Sequence, residues 1–197
     1  MTKNFKNKLS IKQNNNTRII SGWLVNEEQH KSPHFSVRDK NETICLLVVH
    51  NISLPPKKFG GDYITDFFLG KLDVNVHPYF ENIAQLKVSA HCLIKRNGQV
   101  IQYVSFDDKA WHAGVSSYQG KEKCNDYSIG IELEGADDIP YTQEQYLALA
   151  ELTQTLQLNY PEIKDNITGH SDIAPQRKTD PGNAFNWKHF YHCLKSS

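Results

Sequence analysis

The run Ile44-Cys45-Leu46-Leu47-Val48-Val49 is apolar at every position and is closed by His50-Asn51. A strand with one wet face alternates in polarity. A strand that is apolar throughout is covered on both faces, as an inner strand of a sheet between helices is. Pro55-Pro56 and Gly60-Gly61 follow and mark a loop. The clearest helix is expected over Tyr141 to Tyr160. Thr142 and Gln145 have capping-box spacing, Tyr141 is placed to staple onto Tyr146, and Tyr146, Leu149, Thr153 and Leu156 recur at helical intervals before Pro161. Shorter helices are expected over Asp62 to Phe68 and Asn186 to Leu194.

Two more strand signals complete the sheet. His91 to Ile94 and Gln99 to Val104 flank Asn97-Gly98, a strong short-range hairpin signal. Ser128 to Leu133 alternates, with Ile129, Ile131 and Leu133 on one face and Ser128, Gly130, Glu132 and then Glu134 on the other. The expected fold class is α/β (α+β): a central mixed β-sheet flanked by helices, in a single domain. A chain of 197 residues suffices for one such core. Residues 1–18 are rich in Lys, Asn and Gln, too polar to offset the entropy of ordering, and are expected to form a disordered tail ahead of a domain over 19–197.

Composition narrows the function. Lys+Arg and Asp+Glu both number 22, and the lysines are scattered, which argues against a nucleic-acid partner. No apolar run approaches the roughly 18 residues of a membrane span. The N-terminus shows no apolar signal region, so the expected location is cytoplasmic, with a monomer as the default state. Cysteines 45, 92, 124 and 193 form no CxxC pair and read as reduced thiols.

Among nine histidines, His50 ends a buried strand and therefore sits on a rigid platform. His170 follows Thr168-Gly169 in a polar stretch read as loop, and Asp180 precedes Pro181-Gly182. His170 and Asp180 bracket one loop able to fold over a metal, and a catalytic zinc takes three protein ligands and keeps one open position. Spacing alone leaves the alternatives open: a histidine at a strand end is often structural, and an aspartate before Pro-Gly is often a turn residue.

Longer blocks carry more information. LVVHNISLPP at 47–56, VSAHCLI at 88–94, WHAGVS at 111–116, CNDYSIGIELEG at 124–135, TGHSDIAP at 168–175 and RKTDPG at 177–182 occur in this order. Together they resemble the AmpD family of N-acetylmuramoyl-L-alanine amidases, within the wider peptidoglycan-recognition amidase fold, from about Ser21 to Leu194. The resemblance implies one zinc ion held by His50, His170 and Asp180 at one end of the sheet. It further implies Glu132 as general base and Lys178 as stabiliser of the transition state. The implied reaction is hydrolysis of the amide between the lactyl group of (1,6-anhydro-)N-acetylmuramic acid and L-alanine, in recycling of muropeptides. A non-catalytic muramyl-peptide binding protein and a lytic amidase acting on intact peptidoglycan are the rival readings.

The residue chemistry agrees. Glu132 projects from a strand whose other face is buried, and Gly130 on the same face leaves room for substrate or metal. Glu134 shares that face but abuts Gly135, and Arg177 is read as a bystander beside Lys178. Trp111 offers a stacking face and His112 a hydrogen bond to a sugar, while Asn51 stands ready for the substrate amide. Lys87 and Lys123 occupy positions where many relatives are expected to carry arginine. Lysine grips a carboxylate without the bidentate geometry of arginine, so substrate anchoring there is expected to be altered. His91 is read as structural, and the loop 55–61 as a lid over the site.

Overall fold

The computed structural model describes residues 18–196. The expected tail, apart from Arg18, lies outside the described residues. The central sheet has six strands: β1 (Glu28–Gln29), β2 (Leu46–Ile52), β3 (Cys92–Ile94), β4 (Val100–Gln102), β5 (Ser128–Glu134) and β6 (Ile167–Gly169). Their spatial order is β6-β2-β5-β3-β4-β1. β5 runs parallel to both β2 and β3, β6 parallel to β2, and β3 antiparallel to β4, so the sheet is mixed.

The all-apolar run forms the inner strand β2, and Leu46 to Val49 are fully buried. Leu47 and Val49 point one way and pack with Ile129, Ile131 and Leu133 against helices α3 (Gln143–Asn159) and α5 (Trp187–Ser196). Leu46 and Val48 point the other way, toward Ala113, Cys124, Tyr127 and Ile173. A third cluster seats α1 (Tyr63–Phe68) and α2 (Pro78–Glu81) on Leu93, Ile101 and Tyr103 through Phe67, Phe68 and Phe80.

Local signals act as read. The Thr142 hydroxyl accepts the Gln145 N–H, and the Gln145 side chain accepts the Thr142 N–H, completing the capping box. Such a cap contributes about 1 kcal/mol to the helix. In the hairpin, Ile94 lies opposite Val100, and Gly98 takes φ +84°, a conformation that glycine adopts without a side-chain clash. None of the four cysteines is bonded to another. No helix among the described residues is long and apolar enough to cross a membrane.

Two features differ from the sequence reading. His170 is not in a loop: β6 ends at Gly169, and His170 opens the helical turn α4 (His170–Ile173). β6 has three residues and one aliphatic side chain, too little for a period to show. Short antiparallel pairs such as Phe35–Val37 with Asp108–Ala110 were likewise below the length at which alternation is visible. Arg38, just beyond that pair, is buried and donates to the carbonyls of Asn125, Asp126, Asp108 and Ser128, tying the start of β5 to its surroundings.

Candidate active site

Parallel register assembles the site. Glu132 lies directly opposite His50, and Gly169 opposite Val49, so His170 emerges beside His50 at the same end of the sheet. Asp180 arrives on the following loop, which is held to α4 by the Ser171 N–H donating to the Asp180 carbonyl at 2.9 Å. The Nδ1 atoms of His50 and His170 are 3.0 Å apart, and Asp180 Oδ2 is 3.1 Å from the first and 3.0 Å from the second. Donors around a tetrahedral zinc with bonds of about 2.0–2.1 Å stand roughly 3.3 Å apart, so this triangle has the size of a zinc site.

The donor chemistry also fits. His170 Nε2 is 3.0 Å from the Ala113 carbonyl, which only accepts. Against this carbonyl the ring proton belongs on Nε2, the Arg177 guanidinium standing farther off at 3.5 Å, and Nδ1 then presents a lone pair to the cluster. Burial pushes the His50 imidazole down to about 4, which keeps it in the uncharged, ligating form at neutral pH. A carboxylate and two buried imidazoles that converge on one point make a site for a divalent cation. Together these three residues are a possible metal-binding group.

Glu132 borders the same space. Its Oε2 is buried and has no hydrogen-bond partner. Burial, and then the nearby Asp180 carboxylate, hold its pKa well above the usual carboxylate range, while the Lys178 ammonium acts in the opposite direction. Glu134, on the same face of β5, is committed elsewhere: one oxygen accepts the Gly60 N–H and the other the Arg96 N–H. It pins the 55–61 loop to the hairpin. The Lys57 ammonium makes a second tie from that loop, to Asp138 at 2.6 Å.

His170 and Asp180 line a cavity of about 800 Å³, with His50 buried beside them. Glu132, Lys178, Asn51 and Trp111 line it, with Phe67, Tyr79, Leu86 and Val88 forming an apolar wall and Asp137 and Asp138 an acidic one. Trp111 donates its indole N–H to Ser36 and stacks on His34, so its ring is held in place at the wall. The Asn51 amide donates to Asp137 at 2.8 Å.

Three sequence expectations are placed differently. His112 lines the cavity, but its ring nitrogens face inward, 2.9 Å from His50 Nε2 and 3.2 Å from Ser128 Oγ. The space beside Gly130 is filled by that same ring: a Cβ on Gly130 would lie 2.4 Å from it, so the glycine makes room for His112 rather than for substrate or metal. Lys123 lines a separate depression with Val115 and Pro175, and Lys87 is exposed between two residues that line the cavity without lining it itself.

Two contributors had no sequence signal. Arg177 donates to the carbonyls of Ala113 and Val115, bracing the loop whose Ala113 carbonyl orients His170. The Asp137 carboxylate accepts from Asn51 and from Thr179, the neighbours of the candidate ligands His50 and Asp180. Contacts between residues this distant in sequence leave no local pattern. His91 is structural as read: its Nδ1 accepts the Gly130 N–H and its Nε2 donates to the Asp108 carbonyl.

Fold and site together are those of a hydrolase of the amidase class, built on a mixed sheet with a candidate metal centre at the end of its inner strands. A family model described as N-acetylmuramoyl-L-alanine amidase matches residues 40–183, and the chain belongs to that family. It is 59% identical to the 1,6-anhydro-N-acetylmuramyl-L-alanine amidase AmpD of Enterobacter cloacae over 179 residues, which cover 91% of this chain and 96% of the relative. Against the AmpD of Escherichia coli K12 the identity is 59% over 172 residues, covering 87% and 94%. A solved crystal structure of a selenomethionine AmpD derivative superposes with a TM-score of 0.87 at 56% identity, over 89% of this chain and 98% of that one.

Proposed function

We propose that this protein hydrolyses the amide between the lactyl group of (1,6-anhydro-)N-acetylmuramic acid and L-alanine, using one zinc ion held by His50, His170 and Asp180. The reading places it in the cytoplasm as a monomer that recycles soluble cell-wall fragments, in keeping with the substrate for which its AmpD relatives are named. The observation that carries it is the pairing of Glu132 with His50 across β5 and β2, which sets an unpartnered carboxylate oxygen beside the donor triangle.

Zinc supplies Lewis acidity, lowering the pKa of water to about 7. Glu132 takes the proton of the attacking water and delivers it to the departing alanine nitrogen, a role worth roughly 10²–10⁴-fold. Its raised proton affinity suits a base that must later act as an acid. Lys178 lines the cavity with an ammonium that makes no hydrogen bond or ion pair among the described residues, so its charge is free to meet the oxyanion that develops on the carbonyl. Trp111 and the apolar wall suit the sugar ring, and Asn51 the peptide amide. The loop 55–61, with Pro56 and Lys57 lining the cavity, serves as its cover.

Mass spectrometry of anhydromuropeptides incubated with the protein tests this. Release of free peptide and anhydro sugar, abolished by Glu132→Ala, is the expected result. Substrate bound but left intact would identify a binding protein instead. Faster attack on intact peptidoglycan than on soluble fragments would identify a lytic amidase.

A further inference from the structure

We infer that His112, Ser128 and the Cys124 carbonyl form a one-way hydrogen-bond chain that fixes the tautomer of His50. The inference rests on the zinc reading above and assigns His112 and Ser128 as positioning residues for the metal site. The chain is anchored at a group whose role is fixed. Ser128 Oγ is 2.5 Å from the Cys124 carbonyl oxygen, and a carbonyl accepts only, so the hydroxyl donates there. Its single proton is then spent. The 3.2 Å contact between Ser128 Oγ and His112 Nε2 must be donated by the ring. A neutral His112 protonated on Nε2 has a bare Nδ1, which lies 2.9 Å from His50 Nε2. His50 must therefore carry its proton on Nε2, and its Nδ1 lone pair faces His170 and Asp180.

The surroundings support this arrangement. Ser128 is fully buried, and among the described residues the ring nitrogens of His112 meet only Ser128 and His50, with no carboxylate in contact to hold a second ring proton. The ring lies against Gly130, where a Cβ would collide with it, and meets the rings of His50 and His91 edge-on at 5.0 and 5.7 Å between centroids. Its backbone is held as well, since the His112 and Ala113 N–H groups both donate to the Asn125 side chain. The two imidazole ligands are thus oriented in different ways: His170 directly by a carbonyl, His50 through two side chains ending on a carbonyl. Partners of this kind typically change metal affinity 10–100-fold when removed.

The test begins with zinc stoichiometry of the purified wild type. Absence of zinc there would overturn the metal reading itself. In the zinc-loaded wild type, long-range ¹H–¹⁵N NMR of the histidine rings is expected to show His112 protonated on Nε2 and His50 protonated on Nε2. A proton on His112 Nδ1 overturns the chain. For Ser128→Ala, competition with a chelator is expected to show zinc bound about 10–100-fold more weakly, with the metal-free melting temperature close to wild type. Unchanged zinc affinity in this variant overturns the chain while leaving the zinc reading intact. Should the variant fail to fold, the wild-type ring tautomers decide.

Discussion

Glu132 and Glu134 project from the same face of the same strand, yet Glu134 gives both oxygens to backbone amides while Glu132 keeps one without a partner. The difference separates their roles. Glu132→Gln is expected to keep the fold and lose roughly 10²–10⁴-fold in turnover. Glu134→Gln leaves one buried amide facing an NH₂ group and is expected to destabilise by about 1–3 kcal/mol, with faster amide exchange at Gly60. Urea unfolding and steady-state kinetics on the two variants read the contrast directly.

Removing the metal is expected to abolish hydrolysis, and added zinc to restore it. Zinc should also raise the melting temperature, because an ion that binds only the native state stabilises it by mass action. Asp180→Asn keeps the shape but removes the charge of the ligand, and is expected to lose most of the zinc-dependent rise. Calorimetry with and without zinc measures both.

Lys178 and Arg177 are adjacent but do different work. Lys178→Ala is expected to lower kcat roughly 10²-fold with little change in KM or stability, since it removes charge needed only as the oxyanion forms. Arg177→Ala releases the Ala113–Val115 carbonyls and is expected to act on zinc affinity instead, through the loosened His170. Kinetics and chelator competition on the pair separate the two effects.

His91 gives the fold a pH dependence. Burial, followed by the charge of Arg38, pushes its imidazole down to about 3. The unfolded chain takes up this proton near pH 6.5 and the native state does not. Stability is therefore complete above about 6.5 and declines as pH falls toward 3, at about 1.4 kcal/mol per pH unit from this group. His91→Gln keeps an acceptor and a donor and is expected to flatten that part of the profile, measured by urea unfolding between pH 7 and 4.

Much of the architecture could be read from the chain because its determinants are local. The all-apolar run closing on His50 announced a two-sided inner strand, and β2 is that strand. The capping box at Thr142 and the Asn97-Gly98 turn are contacts within a few residues, and both appear as read. The alternation in 128–134 placed Glu132 on the face opposite the core, although it could not say that Glu134 would be used up by distant amides. Partners distant in sequence were not legible. His112, read as a sugar contact, lines the cavity with its ring nitrogens turned to His50 and Ser128; Lys123, read as an anchor, stands at another depression.

The sequence by itself determined the longer elements, the family and the candidate ligands, because periodicity, caps and contiguous blocks are properties of short stretches. Only the tertiary structure decided which atoms meet. Parallel pairing of β5 with β2 brings Glu132 opposite His50 across 82 positions of chain, and pairing of β6 with β2 brings in His170. The carbonyls that meet His170 Nε2 and the Ser128 hydroxyl, at Ala113 and Cys124, are ones that no spacing rule connects to the histidines. Hydrogen-bond direction depends on the fixed groups at the end of a chain, and those are placed by packing rather than by neighbouring residues.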